Sequence, residues 1–325
     1  MFQGCTMITY QGLQRIWTRQ AGFRWGDKYV PSTLAVPGEA PKISRACRMN
    51  SRKLGRTIHL MSIPERVFAQ LALFNPAVFD LHEQKMLHID PAVHPLFGHP
   101  LAVGIALQSF RGTSEVAARI GMRHARITVE DEGDRFPVPY NYIGDLLLYL
   151  RTEDGYPYAV NWSIKAGRND FHERRRSTIK GFAQQRTDQE KARLRNLLEQ
   201  EYYLDAGIHT HLLSLDDVPP MVAANLDLMY GYHDLPMDLD PALLDDYSDD
   251  LLEKALQGTP PAFIAIEYAK IWGRRDLFLS KIYQDIWSRK LPVDLHSPIL
   301  VDKPLRMRGK QLLEVYGHLF RDSPT

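Results

Sequence analysis

Cysteine is nearly absent from this chain of 325 residues, with Cys5 and Cys47 its two thiols. Two isolated thiols make neither a disulfide framework nor a thiolate metal cluster, and they fit a reducing compartment. Long apolar runs are missing as well. No stretch approaches the ~18 apolar residues of a membrane span. The segment Met1 to Arg15 lacks a charged start followed by an apolar run, so no secretory signal is read. The expectation is a soluble cytoplasmic protein. Net charge is missing too: 40 Lys and Arg stand against 39 Asp and Glu, for a net of +1. Global basicity therefore offers no argument for a nucleic-acid partner. There is no internal repeat and no low-complexity tract. What is present is an ordinary globular composition, 44% hydrophobic and 24% charged, long enough for two domains with a full core.

Charge is distributed unevenly. Residues 1–58 carry ten Lys/Arg and two acids, Asp27 and Glu39, whereas residues 234–253 carry eight acids and no base. Local basic surfaces fit within the balanced total. The first segment is rich in Gly, Pro, Arg and Lys, with a short helix near Gln11–Arg19. It reads equally well as a solvated arm and as an arm contacting nucleic acid.

Ser62-Ile63-Pro64-Glu65 opens the first clear helix, with Ser62 suited to the N-cap, Pro64 to the first turn and Glu65 to the third position. Val67, Phe68, Leu71 and Phe74 follow at helical spacing, and Asn75-Pro76 ends it. Ala77–Leu81 reads as a strand running on into His82-Glu83-Gln84. Residues 88–141 read as an insertion with a helical piece at Glu115–Ile120. Beyond residue 165, Thr187-Asp188-Gln189-Glu190 has the form of a second capping box. It starts a helix with Leu194, Leu197, Leu198 and Tyr202 on one face and Gly207 as its stop. Ile208–Leu213 is then a strand and Asp216–Tyr230 a helix, giving an α/β order. The acidic segment reads as a linker and the first helix of a second domain. Helices follow from Thr259 to Ile271, Arg274 to Ser288 and Lys310 to Phe320, with extended pieces at Leu291–Val293 and Ser297–Val301. Two helices across the Gly273 turn have the form of a helix-turn-helix or winged helix.

The stretch 142–166 carries the chemistry. Two apolar β-rich runs flank a polar loop ending in Asp154-Gly155, a hairpin signal. Asp145 begins the first strand and Lys165 ends the second. Alternation puts Asn161, Ser163 and Lys165 on one face. A loop centred near residue 154 sets Asp145 opposite a residue near 163, at roughly 5 Å between Cβ atoms. A carboxylate beside a lysine suits metal-assisted hydrolysis of a phosphate: magnesium takes one or two carboxylates plus phosphates and waters, and the lysine orients water or neutralises charge. Metal-dependent nucleases use this arrangement, with Pro-Asp, a variable spacer and Asp/Glu-X-Lys. Here Gly144-Asp145 and Ser163-Ile164-Lys165 stand in those places.

With Glu65 on the preceding helix, the set resembles the TnsA-type endonuclease subunit of heteromeric cut-and-paste transposons. His59-Leu60-Met61-Ser62 leads into Glu65 as in that family. Asp80-Leu81-His82-Glu83-Gln84 is similar to its Asp-X-Arg-Glu-Gln run. Glu115–His124 and Glu190–Ile208 resemble its helical segments, so the likeness spans about residues 50–230. The resemblance implies a restriction-endonuclease-like α/β core, a mixed sheet flanked by helices, and a bacterial cytoplasmic protein. It implies cleavage at transposon 5′ ends with Mg2+, for which Mn2+ substitutes. The implied partners are the DNA ends, an integrase-like transposase subunit, and an AAA+ ATPase regulator docking on the C-terminal domain. Carried over, Glu65 and Asp145 are metal ligands with the Ile164 backbone carbonyl nearby, Ser163 fills the third polar position, and Lys165 positions or activates water. The chain departs from the family in having Ser163 in place of a carboxylate or Gln, His82 in place of Arg, and Ala166 in place of a common Pro.

Plainer readings stand beside these. Glu65 also completes a capping box with Ser62, and Asp145 with Lys165 also makes an ion pair of little net worth. The histidines His82, His88, His94, His99, His124, His172, His209 and His211 match no zinc spacing. From Lys165 to Arg195 there are ten Lys/Arg and four acids. Arg174, Arg175, Arg176 and Lys180, just beyond the hairpin, are the candidate DNA-phosphate contacts. The expected division is a basic arm at 1–54, a nuclease core at 55–232 with its insertion at 88–141, and a C-terminal helical domain at 233–325. A stand-alone restriction or repair nuclease and a non-catalytic adaptor remain alternatives.

Overall fold

A computed structural model describes residues 10–22, 24–41, 45–172 and 181–322. The chain divides into two compact units, one formed by residues 1–69, 76–217 and 320–325, the other by 70–75 and 218–319.

In the first unit, helix α1 (Tyr10–Gln20) precedes a two-stranded ribbon, β1 (Cys47–Ser51) and β2 (Arg56–Leu60). Helix α2 (Ile63–Phe74), whose residues 70–74 are counted with the second unit, leads to β3 (Val78–Met86). After a looping segment with the short α3 (Thr113–Arg119) come a hairpin, β4 (Arg126–Asp131) and β5 (Asp134–Pro139), and the strands β6 (Ile143–Arg151) and β7 (Pro157–Lys165). The long α4 (Phe182–Asp205) then crosses to β8 (His209–Ser214). The central sheet has the order β3-β6-β7-β8. Its first three strands are antiparallel and β8 is parallel to β7, so a crossover is required, and α4 supplies it.

The central position of β6 explains its sequence. Leu146, Leu147, Leu148, Tyr149 and Leu150 are all buried, the continuous apolar run of a strand covered on both faces. One face gathers Leu147, Tyr149 and Ala159 with Leu198, Tyr202 and Tyr203 of α4. On the other, Phe68 of α2 meets Trp162 edge-to-face at 6.0 Å. The β6–β7 loop turns through Gly155, whose φ of 87° suits a residue without a Cβ.

The basic N-terminal segment, where described, is folded onto this unit and is not a free arm. Leu13, Tyr29 and Ser32 are buried. Tyr29 stacks on His82 at 3.8 Å between centroids, and Ser32 bonds to the Gln84 carbonyl at 2.7 Å. Helix α4 starts at Phe182, upstream of the Thr187 box. Thr187 sits inside the helix and donates its hydroxyl to the Ala183 carbonyl at 2.9 Å, so that box does not cap.

The second unit holds α5 (Pro220–Tyr232), α6 (Pro241–Leu256), α7 (Pro261–Trp272), α8 (Arg275–Trp287) and α9 (Leu312–Tyr316). Leu226, Met229, Tyr247, Ile264, Phe278 and Ile282 form its core. Gly273 and Arg274, at φ 69° and 52°, make the sharp turn between α7 and α8. The expected extended pieces at 291–293 and 297–301 form no strand, and this unit has none among the described residues. Helix α5 belongs here, so the division falls at 217/218 rather than at 232/233. No helix among the described residues is long and apolar enough to cross a membrane.

Candidate metal centre

Asp145 lies at the start of β6, flanked on both sides in the sheet. The register pairs Leu146 with Trp162 on β7 and Glu83 on β3. One step further, Asp145 stands between Ser163 and Gln84. Its Oδ2 accepts the Ile164 N–H at 2.6 Å and lies 3.4 Å from Lys165 Nζ. Lys165 Nζ also donates to the Ile164 carbonyl at 3.0 Å. Ser163 is buried.

Glu65 arrives from the first turn of α2. Ser62 Oγ accepts the Glu65 N–H at 3.3 Å and donates its own hydrogen to Glu65 Oε1 at 2.8 Å. Glu65 Oε2 accepts the Met61 N–H at 2.9 Å and Gln84 Nε2 at 3.0 Å. The carboxylate takes the Met61 N–H instead of that of Ser62, and it lies near enough to Asp145 to feel its charge. Burial, and next the negative charge of Asp145, push the Glu65 carboxyl up to about 7. The Met61 and Ser62 hydrogen bonds and Lys165 oppose this without cancelling it.

Burial pulls the Lys165 ammonium down, but Asp145 and then Glu199 outweigh it and hold the group above its ordinary value. Lys165 is thus a firmly protonated cation. Glu199, buried on α4, accepts Asn161 Nδ2 at 3.1 Å and pairs with Arg195 at 3.2 Å.

Two contributors were not singled out from the sequence. Gln84 has φ 50°, a left-handed conformation that costs a non-glycine residue about 1–2 kcal/mol. In an unbroken strand His82 and Gln84 would share a face. The kink breaks the alternation: Gln84 reaches Glu65, and Lys85 returns to the side where His82 lies, lining one cavity with it. Glu199 has the spacing of an ordinary Arg195–Glu199 helix pair, and only its burial marks it out.

His82 is buried between Tyr149, whose hydroxyl lies 2.9 Å from Nδ1, and Asp80, 3.5 Å from Nε2. It is a packing residue here. The guanidinium next to Glu83 comes from β2: Arg56 forms a bidentate pair with Glu83 at 2.8 Å for both bonds. Arg174, Arg175, Arg176 and Lys180 lie outside the described residues.

Whether these donors fit a divalent cation turns on their number and their free lone pairs. Among the described residues no three His, Cys, Asp or Glu side chains cluster closely enough to enclose a metal. Magnesium does not need such a cage, since it keeps waters and takes one or two carboxylates plus phosphate oxygens. Asp145 Oδ1 accepts no hydrogen bond among the described residues, and Glu65 Oε1 and the Ile164 carbonyl each accept one. Each therefore keeps a lone pair. Burial first, and the charge of Asp145 second, raise the Glu65 carboxyl, and a cation's charge would offset both.

No protein-family model matches this chain, and no curated protein matches it either. The site's chemistry rests on its own geometry.

Proposed function

We propose that the chain is a Mg2+-dependent DNA endonuclease that hydrolyses one phosphodiester strand, and that it acts as the 5′-end-cleaving subunit of a heteromeric transposase. The observation that carries the hydrolytic reading is the Lys165–Asp145 ion pair at the end of the central sheet, with a buried Glu65 near enough to feel the charge of Asp145. The transposase assignment rests on the resemblance of the Glu65, Asp80–Gln84 and hairpin segments to the TnsA-type family. DNA ends, an integrase-like subunit and an AAA+ regulator are the partners that assignment brings.

In this reading Glu65, Asp145 and the Ile164 carbonyl hold the cation, with Ser163 contributing no more than a hydroxyl. A bound Mg2+ supplies Lewis acidity, lowering the pKa of a coordinated water and neutralising charge on the phosphate. Gln84 holds Glu65 Oε2, and Ile164 N–H holds Asp145 Oδ2, so both carboxylates are oriented in advance. Lys165, kept protonated, orients water and stabilises developing charge on the phosphate; a cation held above its ordinary pKa is not the general base.

The absence of a third acid at position 163 favours one specific rival, a non-catalytic adaptor that keeps the nuclease core as a scaffold. The test is cleavage of DNA in Mn2+ by the wild-type chain and Asp145→Ala, each with and without a partner transposase. Cleavage lost in the variant is expected, and cleavage by the wild type only in the partner's presence marks a subunit. Undiminished cleavage by Asp145→Ala overturns the assignment, and no cleavage under either condition favours the adaptor.

A further inference from the structure

The first unit contains a cavity of about 270 Å³, lined from β3, β6, α4, the N-terminal segment and the loop after β3. None of Glu65, Asp145 and Lys165 lines it. The volume lies just below the usual range for small-molecule sites, so it suits a small occupant. Its apolar wall is largely aromatic. Phe110 lies flat against Tyr202, with ring centroids 4.2 Å apart and planes 10° apart, and Trp25 and Leu147 line the same space.

Two cations, Arg24 and Lys85, share this cavity, and no Asp or Glu lines it. Arg24 is exposed and Lys85 half-buried. Among the described residues neither has a carboxylate partner, and the group beside the Lys85 ammonium is the Tyr29 ring at 5.6 Å. Desolvation lowers Lys85 only to about 8, so it still carries its charge at pH 7. His88, in the same lining, is lowered to about 4 by desolvation first and by Lys85 second. Its ring is therefore neutral near neutrality and offers one N–H. Two like charges against an aromatic wall repel each other, and the wall displaces water that would screen them. A dianion offsets both charges, whereas a monoanion leaves one over. A phosphate monoester carries about −1.5 to −2 charges at pH 7. The Arg24 fork matches two of its oxygens and the Lys85 ammonium serves as a point charge for a third.

We infer that this cavity binds a small phosphate monoester of an aromatic body, its phosphate on Arg24 and Lys85 and its ring against Trp25 and Phe110. A free ester such as a nucleoside monophosphate offers that chemistry, and so does the 5′-phosphorylated end of a DNA strand. The inference does not depend on the metal site, and its test uses binding, not cleavage.

The probe is phenyl phosphate, titrated calorimetrically into the full chain at pH 7 in EDTA, with benzoate, inorganic phosphate and benzyl alcohol as comparisons. Phenyl phosphate is expected to bind about tenfold or more tightly than each of them. Lys85→Met and Arg24→Gln, each removing one charge, are expected to weaken it about tenfold. In the wild-type chain, phenyl phosphate is expected to protect Lys85 from acylation at pH 8, read by peptide mass spectrometry, which needs no variant to fold. Absence of phenyl phosphate binding, undiminished binding by either variant, or no protection of Lys85 overturns the proposal. Benzoate binding as tightly overturns it, because one cation then has no part. Inorganic phosphate or benzyl alcohol binding as tightly also overturns it, the first leaving the aromatic wall without a role and the second the charges. Displacement of phenyl phosphate by a 5′-phosphorylated oligonucleotide, and not by its 5′-hydroxyl form, supports the proposal with a strand end as the source. Displacement by adenosine monophosphate and by neither oligonucleotide supports it with a free ester.

Discussion

Replacing Glu65 by Gln should stabilise the metal-free protein at pH 8 and leave it nearly unchanged at pH 4. Glu65 is buried, and its carboxyl is raised from 4.5 to about 7, by burial first and by Asp145 second. A raised carboxyl favours the protonated fold. The stability it contributes is complete below its unfolded value and is lost as pH climbs through the interval from 4.5 to about 7. At 1.36 kcal/mol per unit, the loss is on the order of 3 kcal/mol by pH 8. A glutamine side chain has no proton to lose. Its oxygen can take the Met61 and Gln84 donors, and its amide can donate to Ser62 Oγ, whose hydroxyl reverses role, so the contacts of Glu65 survive. Thermal melts in EDTA should therefore show the Glu65→Gln variant several °C above wild type at pH 8 and level with it at pH 4. A variant that loses stability equally at both pH values would refute the reasoning, because it would make Glu65 an ordinary helix cap. Mn2+ should raise the melting temperature of wild type but not of the variant.

Three further outcomes follow from the same geometry. Gln84→Gly should be about 1 kcal/mol more stable than Gln84→Ala by urea titration, since both lose the bond to Glu65 but glycine accepts φ 50°; equal stabilities would contradict the kink. Arg56→Ala leaves Glu83, fully buried, without its bidentate partner and should cost about 3–5 kcal/mol; a loss under about 1 kcal/mol would show that water reaches Glu83. Lys165→Met should bind Mn2+ at least as tightly as wild type, having lost a competing cation, while DNA cleavage disappears. A variant that still cuts would remove Lys165 from the reaction.

Much of the site was legible because it is encoded locally. The Asp154-Gly155 turn and the alternation along β7 fix the hairpin register from Arg151–Pro157 to Leu146–Trp162, and so bring Asp145 beside Ile164. Ser62 and Pro64 mark the start of α2 and thereby locate Glu65. What stayed hidden is tertiary. Nothing around Gln84 announces a left-handed residue, since Gly or Asn is the usual signal. Glu199 reads as half of a solvated i,i+4 pair until α4 is laid across the sheet. The Thr187 box misled because the residues before it, Ala183, Gln184, Gln185 and Arg186, are good helix formers that let the helix begin earlier. The N-terminal segment looked like a free arm because its few anchors, Leu13, Tyr29 and Ser32, show no periodicity.

Whether Glu65 and Asp145 together hold a divalent cation is tested most directly by measuring bound Mn2+ by electron paramagnetic resonance as a function of pH. Because Glu65 must give up its proton, affinity should be about tenfold weaker at pH 6 than at pH 8. Binding should vanish in Asp145→Ala and in Glu65→Gln while both remain folded. Mn2+ bound with the same affinity by wild type and both variants, or not bound by the wild-type chain even with DNA present, would contradict it.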